Sequence, residues 1–522
     1  MTDLPKNPEP VRDLREWLKR VEAIGEFLHV DKAVDRDEEM SAISYLVAKQ
    51  KPSPAVMFSN VKGFEKSPFG ARSLWNPYGP SVRRIAISLE EHPDTPTVEL
   101  IRRTKEKMKK RMPPREVSRD EAPVYQNTVT GDDIDLDKLP IPRHWPLDGG
   151  RYAGTADAVI TRDPDTGYLN VGTYRMMLQG KKQAGLYLSP GKDARLHITR
   201  SWQMGKPVHV AAAWGMDPLL MLVGSQGFPK NISEYEYAGG IKGEPIAVVK
   251  ALNSDLLIPA NAEFVVEGVI NPDSMKAEGP FGEFTGYYGK PEALCPLVDI
   301  TAIHYRTNPI LTNALMADYP SCEQSGFFSI LRGAKIWDDL DKLGIPGIAG
   351  VYSHPAAAGG FGMTVISLEQ KYAGHAAQVL ALAAQVPGGA YYTKWIIAVD
   401  EDVDPTDMDQ VIWAMGSRCN PVEDIDILRS TWSTPLDPSQ NPPEIRPYGS
   451  KALINACKQH RYLPVFSKRT TLRKNIYDQV AERWSELGLP GVAPNVRAFE
   501  ADAPKAVTYH DETGPRAGAN MG

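Results

Sequence analysis

The sequence has little cysteine and no long apolar run. Its 522 residues include four cysteines, none with C-x-x-C or zinc-ligand spacing. That usage favours a reducing, cytoplasmic location over a secreted, disulfide-bonded fold. No apolar stretch approaches the ~18 residues of a membrane span, and the opening residues, MTDLPKNPEPVRDL, lack the basic and apolar pattern of a secretory signal. We therefore expect no membrane association.

An excess of positive charge and the common catalytic motifs are also missing. The net charge of -6 gives no reason to expect a nucleic-acid partner. The chain contains no G-x-S-x-G, no H-E-x-x-H, no P-loop and no G-x-G-x-x-G. These absences disfavour a nucleophile-elbow hydrolase, a zinc protease, a P-loop enzyme and a dinucleotide-binding enzyme.

The composition that is present suits a globular protein of two or three domains, with 42% hydrophobic and 24% charged residues. Residues 151–310 show two-residue alternation and turn signals, which predict a mainly β body folded as a bent sheet or open barrel. After residue 325 strands and helices alternate, as in 394–405 followed by 407–416. This second pattern predicts an α/β region.

Basic residues concentrate in 101-IRRTKEKMKKRMPPR-115, a predicted helix that Pro113 stops. One interpretation is a patch that attracts a phosphate-bearing substrate such as an aryl-CoA. The other is the solvated face of an ordinary surface helix, which is the commoner role of such a run.

The stretch 278-EGPFGEFTGYYG-289 places two acids around a tight turn. Their spacing puts Glu278 and Glu283 on neither one helix face nor one strand face, but the Gly279-Pro280 turn can direct both into one pocket. Two adjacent carboxylates beside apolar rings cannot both ionise freely, so one should have a raised pKa and suit a proton donor. The alternative is a surface hairpin with two solvated acids.

Arg175 stands among uncharged residues in 170-NVGTYRMM-177 and is predicted on a strand. An arginine cannot give up its proton, so a half-buried one needs carboxylate or phosphate partners. Glu278 and Glu283 are chemically suited: the arginine would hold one ionised, and that charge would oppose ionisation of the other. An ordinary buried salt bridge is the alternative.

Several segments together resemble a known family. They are, in chain order, 140-PIPRHWPLDGGRY-152, 170-NVGTYR-175, 234-EYEYAGGIKGEP-245, 278-EGPFGE-283, 394-KWIIAVDEDVDP-405 and 411-VIWAMGSRCNP-421. Over roughly residues 10–470 the chain resembles the UbiD family of decarboxylases, which use prenylated FMN.

The resemblance implies site residues position by position. Arg175, Glu278 and Glu283 match the family's catalytic Arg–Glu–Glu triad, in which Glu283 returns a proton to the substrate carbon. Asn170 and Glu234 match ligands of a divalent metal, Mn2+ or Fe2+, that bridges the cofactor phosphate, with K+ as a further cation. The implied cofactor-binding residues are Asn170, Thr173, Tyr174, Arg175, Gly191, Lys192, Glu234 and Lys394.

The resemblance also implies an α+β or α/β architecture with a β-rich, split-barrel-like flavin-binding domain, a linking helix and a C-terminal α/β oligomerisation domain. A homodimer or homohexamer is implied, with a flavin prenyltransferase as supplier of the cofactor. The expected segments are an N-terminal α/β part (1–110), a β-rich catalytic domain (111–320), a C-terminal α/β domain (321–465) and a helix with a tail (466–522).

One departure from the family concerns the third metal ligand. Relatives carry a histidine where 189-SPGKDAR-195 places Lys192 after Gly191. A protonated lysine cannot ligate a cation, although it can contact a phosphate. Three arrangements stay open: a metal held by Asn170, Glu234 and cofactor oxygens, recruitment of His197, or replacement of the metal's charge by Lys192.

The implied function is reversible, non-oxidative decarboxylation by a carboxy-lyase. The substrate would be an aromatic or α,β-unsaturated carboxylic acid, free or as an aryl-CoA thioester. Losing CO2 from an unsaturated carbon needs an electron sink that only a cofactor supplies, while Phe281, Phe284 and Tyr287 are candidate apolar walls. The alternatives are a flavin-binding oxidoreductase, which would oxidise NAD(P)H, and an inactive UbiD-like partner subunit, which would have a spoiled triad.

Overall fold

The computed structural model describes residues 9–189, 191–289, 291–440, 448–497 and 499. They form two compact units. The first unit lies within residues 1–335, 353–362 and 432–449, and the second within 336–352, 363–431 and 450–522. The four segments expected from the sequence, with boundaries at 110, 320 and 465, stay a prediction.

The first unit begins with short helices and strands in alternation. Asp13 caps the first helix by accepting a hydrogen bond from the Glu16 amide at 2.8 Å, and Leu14, Trp17 and Val21 bury its apolar face. The elements are α1 (Leu14–Ala23), β1 (Phe27–Val30), α2 (Glu39–Ala48), β2 (Ala55–Phe58), β3 (Ser73–Trp75), α3 (Val82–Ser88) and α4 (Thr97–Lys107).

The middle of the chain is mainly β, as the two-residue alternation predicts. Its elements are β4 (Arg115–Glu116), β5 (Asn127–Thr130), β6 (Asp157–Arg162), β7 (Leu169–Gly172), β8 (Met176–Gly180), β9 (Gln183–Leu186), α5 (Asp193–Gln203), β10 (Val208–Trp214), α6 (Pro218–Gly224), α7 (Glu234–Lys242), β11 (Ala247–Lys250), β12 (Leu257–Pro259), β13 (Phe264–Ile270), β14 (Met275–Glu278), β15 (Ala293–Tyr305) and β16 (Leu311–Thr312).

Three sheets are built from these strands. The largest has nine strands and runs β7-β6-β10-β13-β15-β9-β8, with β14 and β5 also paired to β15. A four-stranded sheet joins β1, β2, β3 and β16, and a three-stranded sheet joins β12, β11 and β4. Alternate side chains of the large sheet, such as Val159, Val210 and Val266, enter one buried cluster, which is the main core of this unit.

The second unit is α/β. Helix α8 (Gln324–Lys342) begins in the first unit and ends in the second. The remaining elements are β17 (Ile348–Ser353), β18 (Met363–Leu368), α9 (His375–Ala383), β19 (Trp395–Asp400), α10 (Met408–Arg418), α11 (Pro421–Asp424), β20 (Ile425–Trp432), β21 (Tyr448–Ala456) and α12 (Lys474–Glu482). The sheet order is β17-β18-β19-β21-β20, with β18, β19 and β21 parallel.

Only the first part of the basic run, residues 101–107, lies on α4, which ends at Lys107 and not at Pro113 as predicted. The cations of this part are neutralised locally. Arg102 and Arg103 contact Glu99 at 2.6 and 2.7 Å, and Lys107 contacts Glu91 at 2.7 Å. These pairs favour the interpretation of a solvated helix face over that of a phosphate-attracting patch. Of the helices in the described part of the chain, none has the length and apolar character required to cross a membrane.

Candidate active site

The acid turn, residues 278–283, begins where β14 ends. Glu278 closes the strand, and Gly279 takes a φ of 97°, which a residue with a side chain rarely adopts. The Glu283 amide donates to the carbonyl of Tyr287 at 2.9 Å, which closes the loop that follows the acid turn. Glu278 and Glu283 are only 1% and 7% exposed, so the alternative of a surface hairpin with solvated acids is wrong.

Arg175 brings the two acids together. It lies between β7 and β8, immediately before β8 and not on a strand as predicted. Its Nε and Nη2 donate to the two oxygens of Glu278 at 2.7 and 3.1 Å, and its Nη1 donates to Glu283. The guanidinium also stacks on the rings of Tyr187 and Phe281, at 4.0 and 5.0 Å from their centroids. One arginine is therefore shared by both acids.

The surroundings of Glu283 favour its protonated form. Burial raises the pKa of Glu283, the positive charge of Arg175 opposes that rise, and the negative charge of Glu278 adds to it. The turn thus provides one acid whose raised pKa favours its protonated form. Of the candidate wall residues, Phe281 and Phe284 are buried, whereas Tyr287 is 63% exposed and lines no buried wall.

A segment that we call the clasp, residues 144–152, holds the acid turn from the other side. The Asp148 carboxylate accepts hydrogen bonds from the amides of Gly282 and Trp145 at 3.1 and 2.9 Å. The Gly149 amide donates to the carbonyl of Pro280 at 2.8 Å, and the Tyr152 hydroxyl donates to Glu278 at 2.9 Å. Burial raises the pKa of Asp148 to about 6. Sequence reasoning assigned no role to these residues, although 140–152 was among the resembling segments.

A second polar group, which we call the Asn170 cluster, contains Asn170, Tyr174, Lys192, Asp193 and Glu234. Asn170 lies on β7, and Glu234 and Asp193 are the first residues of α7 and α5. Glu234 accepts a hydrogen bond from the Val171 amide at 2.7 Å, and the Tyr174 hydroxyl lies 3.5 Å from Asn170 Nδ2. Since Tyr174 directly precedes Arg175, the cluster and the acid turn are neighbours.

Burial shifts the pKa values of both an acid and the lysine in the Asn170 cluster. Burial raises the pKa of Glu234 to about 8, and the charge of Asp193 contributes in the same direction. Burial lowers the pKa of Lys192, which Asp193 and Glu234 oppose. In the described ranges no carboxylate forms a salt bridge with Lys192 Nζ. The cluster therefore presents one cation and two acids to a ligand.

The other predicted residues are placed as follows. The Thr173 amide donates to the carbonyl of Gly224 at 3.2 Å, and Gly191 takes a φ of 82° with open space where a Cβ would lie. Lys394 immediately precedes β19 in the second unit, and its cofactor role stays a prediction. His197 is held by Thr161 at 3.0 Å and lies 3.7 Å from Asp163, so it is already engaged.

Among the described residues, no three histidine, cysteine, aspartate or glutamate side chains are arranged to hold a metal ion. Asn170 is of a different residue type, although its amide oxygen is a possible ligand. Sequence reasoning missed Asp193, whose signal was an acid next to Lys192 at a helix start.

Family models match most of the chain. The N-terminal, Rift-related and C-terminal domains of 3-octaprenyl-4-hydroxybenzoate carboxy-lyase (UbiD) match residues 18–104, 115–319 and 326–456. The phenolic acid decarboxylase of Bacillus subtilis (strain 168) is 34% identical over 440 residues, which cover 83% of this chain and 90% of that protein.

Solved structures agree. The closed form of vanillic acid decarboxylase from Sedimentibacter hydroxybenzoicus has a TM-score of 0.79 at 30% identity, covering 92% of this chain and 99% of that chain. An evolved dimeric form of the UbiD-class enzyme HmfF from Pelotomaculum thermopropionicum, in complex with prFMN, has a TM-score of 0.76 at 26% identity, covering 88% of this chain and 97% of that chain.

Together, the fold and these matches define the class of the protein as a carboxy-lyase. The chain belongs to the UbiD family of these enzymes. The resemblance found in the sequence, the mixed α/β fold class and the prediction of an enzyme are confirmed.

Proposed function

We propose that this chain catalyses the reversible, non-oxidative decarboxylation of a free aromatic carboxylic acid with prenylated FMN. The observation that carries the proposal is the buried arginine shared by two acids, Arg175 with Glu278 and Glu283. Names of relatives support the substrate class, because a phenolic acid and a vanillic acid decarboxylase are both similar over most of the chain. The locally neutralised helix α4 gives no support to an aryl-CoA substrate.

The residues present fit a flavin phosphate. The cofactor would lie along Thr173, Tyr174 and Arg175, with its phosphate at the Asn170 cluster. Lys192 supports this placement because it is a cation without a carboxylate partner in the described ranges, next to the N-terminus of the eleven-residue helix α5. When bound, the prenylated flavin supplies the sink for the electron pair that stays on the substrate carbon when CO2 leaves.

A divalent metal would share this cluster. The amide oxygen of Asn170 and the carboxylates of Asp193 and Glu234 would be its oxygen ligands, which suit a hard cation such as Mn2+. In this arrangement Asp193 supplies the oxygen that takes the place of the missing histidine ligand, Lys192 contacts the phosphate, and His197 keeps its contact with Thr161.

The acid turn performs the proton transfer. In this proposal Glu283 carries a proton at the start, a form that burial favours by raising its pKa, and it gives that proton to the substrate carbon once CO2 has left. The new carboxylate is then stabilised by the Nη1 group of Arg175, which already contacts Glu283. Glu278 remains the anion that holds the guanidinium. The buried rings of Phe281 and Phe284 keep water away from the departing carboxylate.

The test is co-expression with a flavin prenyltransferase, followed by an absorbance spectrum, the mass of the released cofactor and CO2 release from a panel of hydroxylated benzoic acids. We expect a bound prenylated flavin and turnover of at least one acid. Stoichiometric NAD(P)H oxidation without CO2 release would favour a flavin oxidoreductase, and a chain that binds no flavin would favour an inactive partner subunit.

A further inference from the structure

We propose that Tyr152 is a positioning residue of the acid pair, whose hydroxyl fixes the negative charge on Glu278 and so leaves Glu283 as the proton carrier. The proposal rests on the function proposed above. It addresses a question that the triad alone leaves open, because two chemically identical carboxyl groups share one guanidinium and either could carry the charge.

Tyr152 is buried and fixed in place. Its side chain is 0% exposed and packs in a small apolar cluster with Met177 and Phe281, the ring of Phe281 lying 4.4 Å away between centroids. The hydroxyl donates to Glu278 Oε1 at 2.9 Å and, more weakly, to the carbonyl of Pro280 at 3.3 Å. The proton of this phenol therefore points at the acid turn.

The donors around the two acids are unequal. Glu278 accepts from Arg175 Nε, Arg175 Nη2 and the Tyr152 hydroxyl. Glu283 accepts from Arg175 Nη1 and the amide of Phe284. Hydrogen-bond donors stabilise a carboxylate over its acid form, and burial keeps Tyr152 neutral by raising the pKa of the phenol. The Tyr152 hydroxyl is thus the additional donor that favours the negative charge on Glu278 over Glu283.

The charged and titratable neighbours of Glu278 limit how this can be tested by pH. They are Arg175, Glu283, Tyr152, Tyr187 and Cys295, while Asp148 acts on Tyr152. Burial raises the pKa of Cys295 to about 12 and raises that of Tyr187. Neither thiol nor phenol therefore titrates near neutrality, and the acidic limb of a kcat profile reports the carboxyl groups.

The experiment compares Tyr152→Phe with Tyr78→Phe in cofactor-loaded enzyme. Tyr78 is a matched control, since it is also 0% exposed and its hydroxyl donates to Ser88 at 3.0 Å, away from the acid turn. For Tyr152→Phe we expect kcat to fall roughly tenfold or more, because a hydrogen bond to an ionised group is lost. We expect KM to change little, flavin content to stay unchanged, and the acidic limb of the kcat profile to move to higher pH.

The pH at which the acidic limb lies distinguishes a positioning role of Tyr152 from a loss of folded protein. Misfolding of part of the sample lowers kcat but leaves the limb in place, so the shift can be read from whatever fraction folds. An unmoved limb in Tyr152→Phe, with a kcat loss no larger than that of Tyr78→Phe, would overturn the proposal while the decarboxylase function stands. A loaded wild-type enzyme that releases no CO2 from any acid would overturn both.

Discussion

Glu278 and Glu283 have the same side chain and differ only in their surroundings. Arg175 grips the first with two hydrogen bonds and the second with one. The proton-donor role proposed for Glu283 is supported by its burial and by the neighbouring negative charge, which both raise its pKa. Changes at single residues of this group should therefore alter proton transfer and charge, not the fold.

Replacing Glu283 with glutamine should lower kcat by at least about 100-fold while the cofactor stays bound. Glutamine keeps the shape of the side chain but has no carboxyl proton to transfer. The measurement is CO2 release together with flavin absorbance. The control is Glu292→Gln, at an exposed acid immediately before β15, and it should behave as wild type.

The wild-type pH profile provides a second check. Because the donor must be protonated, activity should decline as pH rises through the raised pKa of Glu283, above the ordinary range of a glutamate. Normal decarboxylation by Glu283→Gln would show that another group delivers the proton.

In the Asn170 cluster, we expect Lys192 and Asp193 to affect different ligands. Lys192→Met should lower the flavin content of purified enzyme, since the phosphate loses a cationic partner. Asp193→Asn should lower the content of bound divalent metal, measured by elemental analysis, since one anionic oxygen is lost. Lys206→Met, an exposed lysine just after α5, serves as the control. Unchanged flavin and metal contents in both cluster variants would remove the cluster from the cofactor site.

At the scale of elements, the clasp and the acid turn fit too closely for any added atom. A Cβ on Gly149 would lie 1.9 Å from the carbonyl oxygen of Gly279, which forces the two segments apart. Gly149→Ala should therefore lower kcat by about 100-fold, the order of loss that a displacement of about 1 Å produces.

A glycine in open space provides the control for that change. Gly416 lies within α10, and a Cβ there meets nothing within 4 Å. Gly416→Ala should keep wild-type kcat and melting temperature, or raise the latter slightly. Wild-type activity in Gly149→Ala would mean that the clasp does not position the turn.

Local pattern predicted the elements better than the contacts between them. The strand expected within 394–405 runs over Trp395–Asp400, and the helix expected at 407–416 runs over Met408–Arg418 behind its Asp407 cap. The convergence of Glu278 and Glu283 was one of two interpretations of their turn, because turn chemistry is local. Arg175 was wrongly placed on a strand, since the residues that end β7 are held by long-range contacts such as that of Thr173 with Gly224.

Residues that act through distant partners carry no local signal. In the sequence Tyr152 resembles any other aromatic residue, and only the structure shows its hydrogen bond to Glu278. Asp193 reads as an ordinary first-turn acid of a helix until Glu234 is seen to share its electrostatic surroundings. The family resemblance supplied the triad, but neither residue could be assigned from spacing alone.

At the scale of the whole molecule, buried acids should make stability depend on pH. Glu323 accepts hydrogen bonds from the amides of Tyr78 and Gly79, and burial raises its pKa to about 7. Because the folded state then holds a proton that the unfolded chain has released, stability falls as pH rises from the unfolded pKa through the folded one. Between pH 5.5 and 8 this one group should lower the free energy of unfolding by about 2 kcal/mol.

The check is the melting temperature of wild type and Glu323→Gln at both pH values. Wild type should lose more stability than the variant on going to pH 8, since glutamine does not titrate. Equal losses would assign the pH dependence to other groups.

The hydrogen bonds of the acid turn join parts of the chain that are far apart in sequence. Arg175 and Glu278 are 103 positions apart, and Tyr152 and Glu278 are 126 apart. Closing loops of that length comes late in folding, because their entropy must be lost before the contacts form. A partly folded chain therefore lacks the assembled acid turn. The rate at which CO2 release returns after denaturation should measure how fast the native topology is completed.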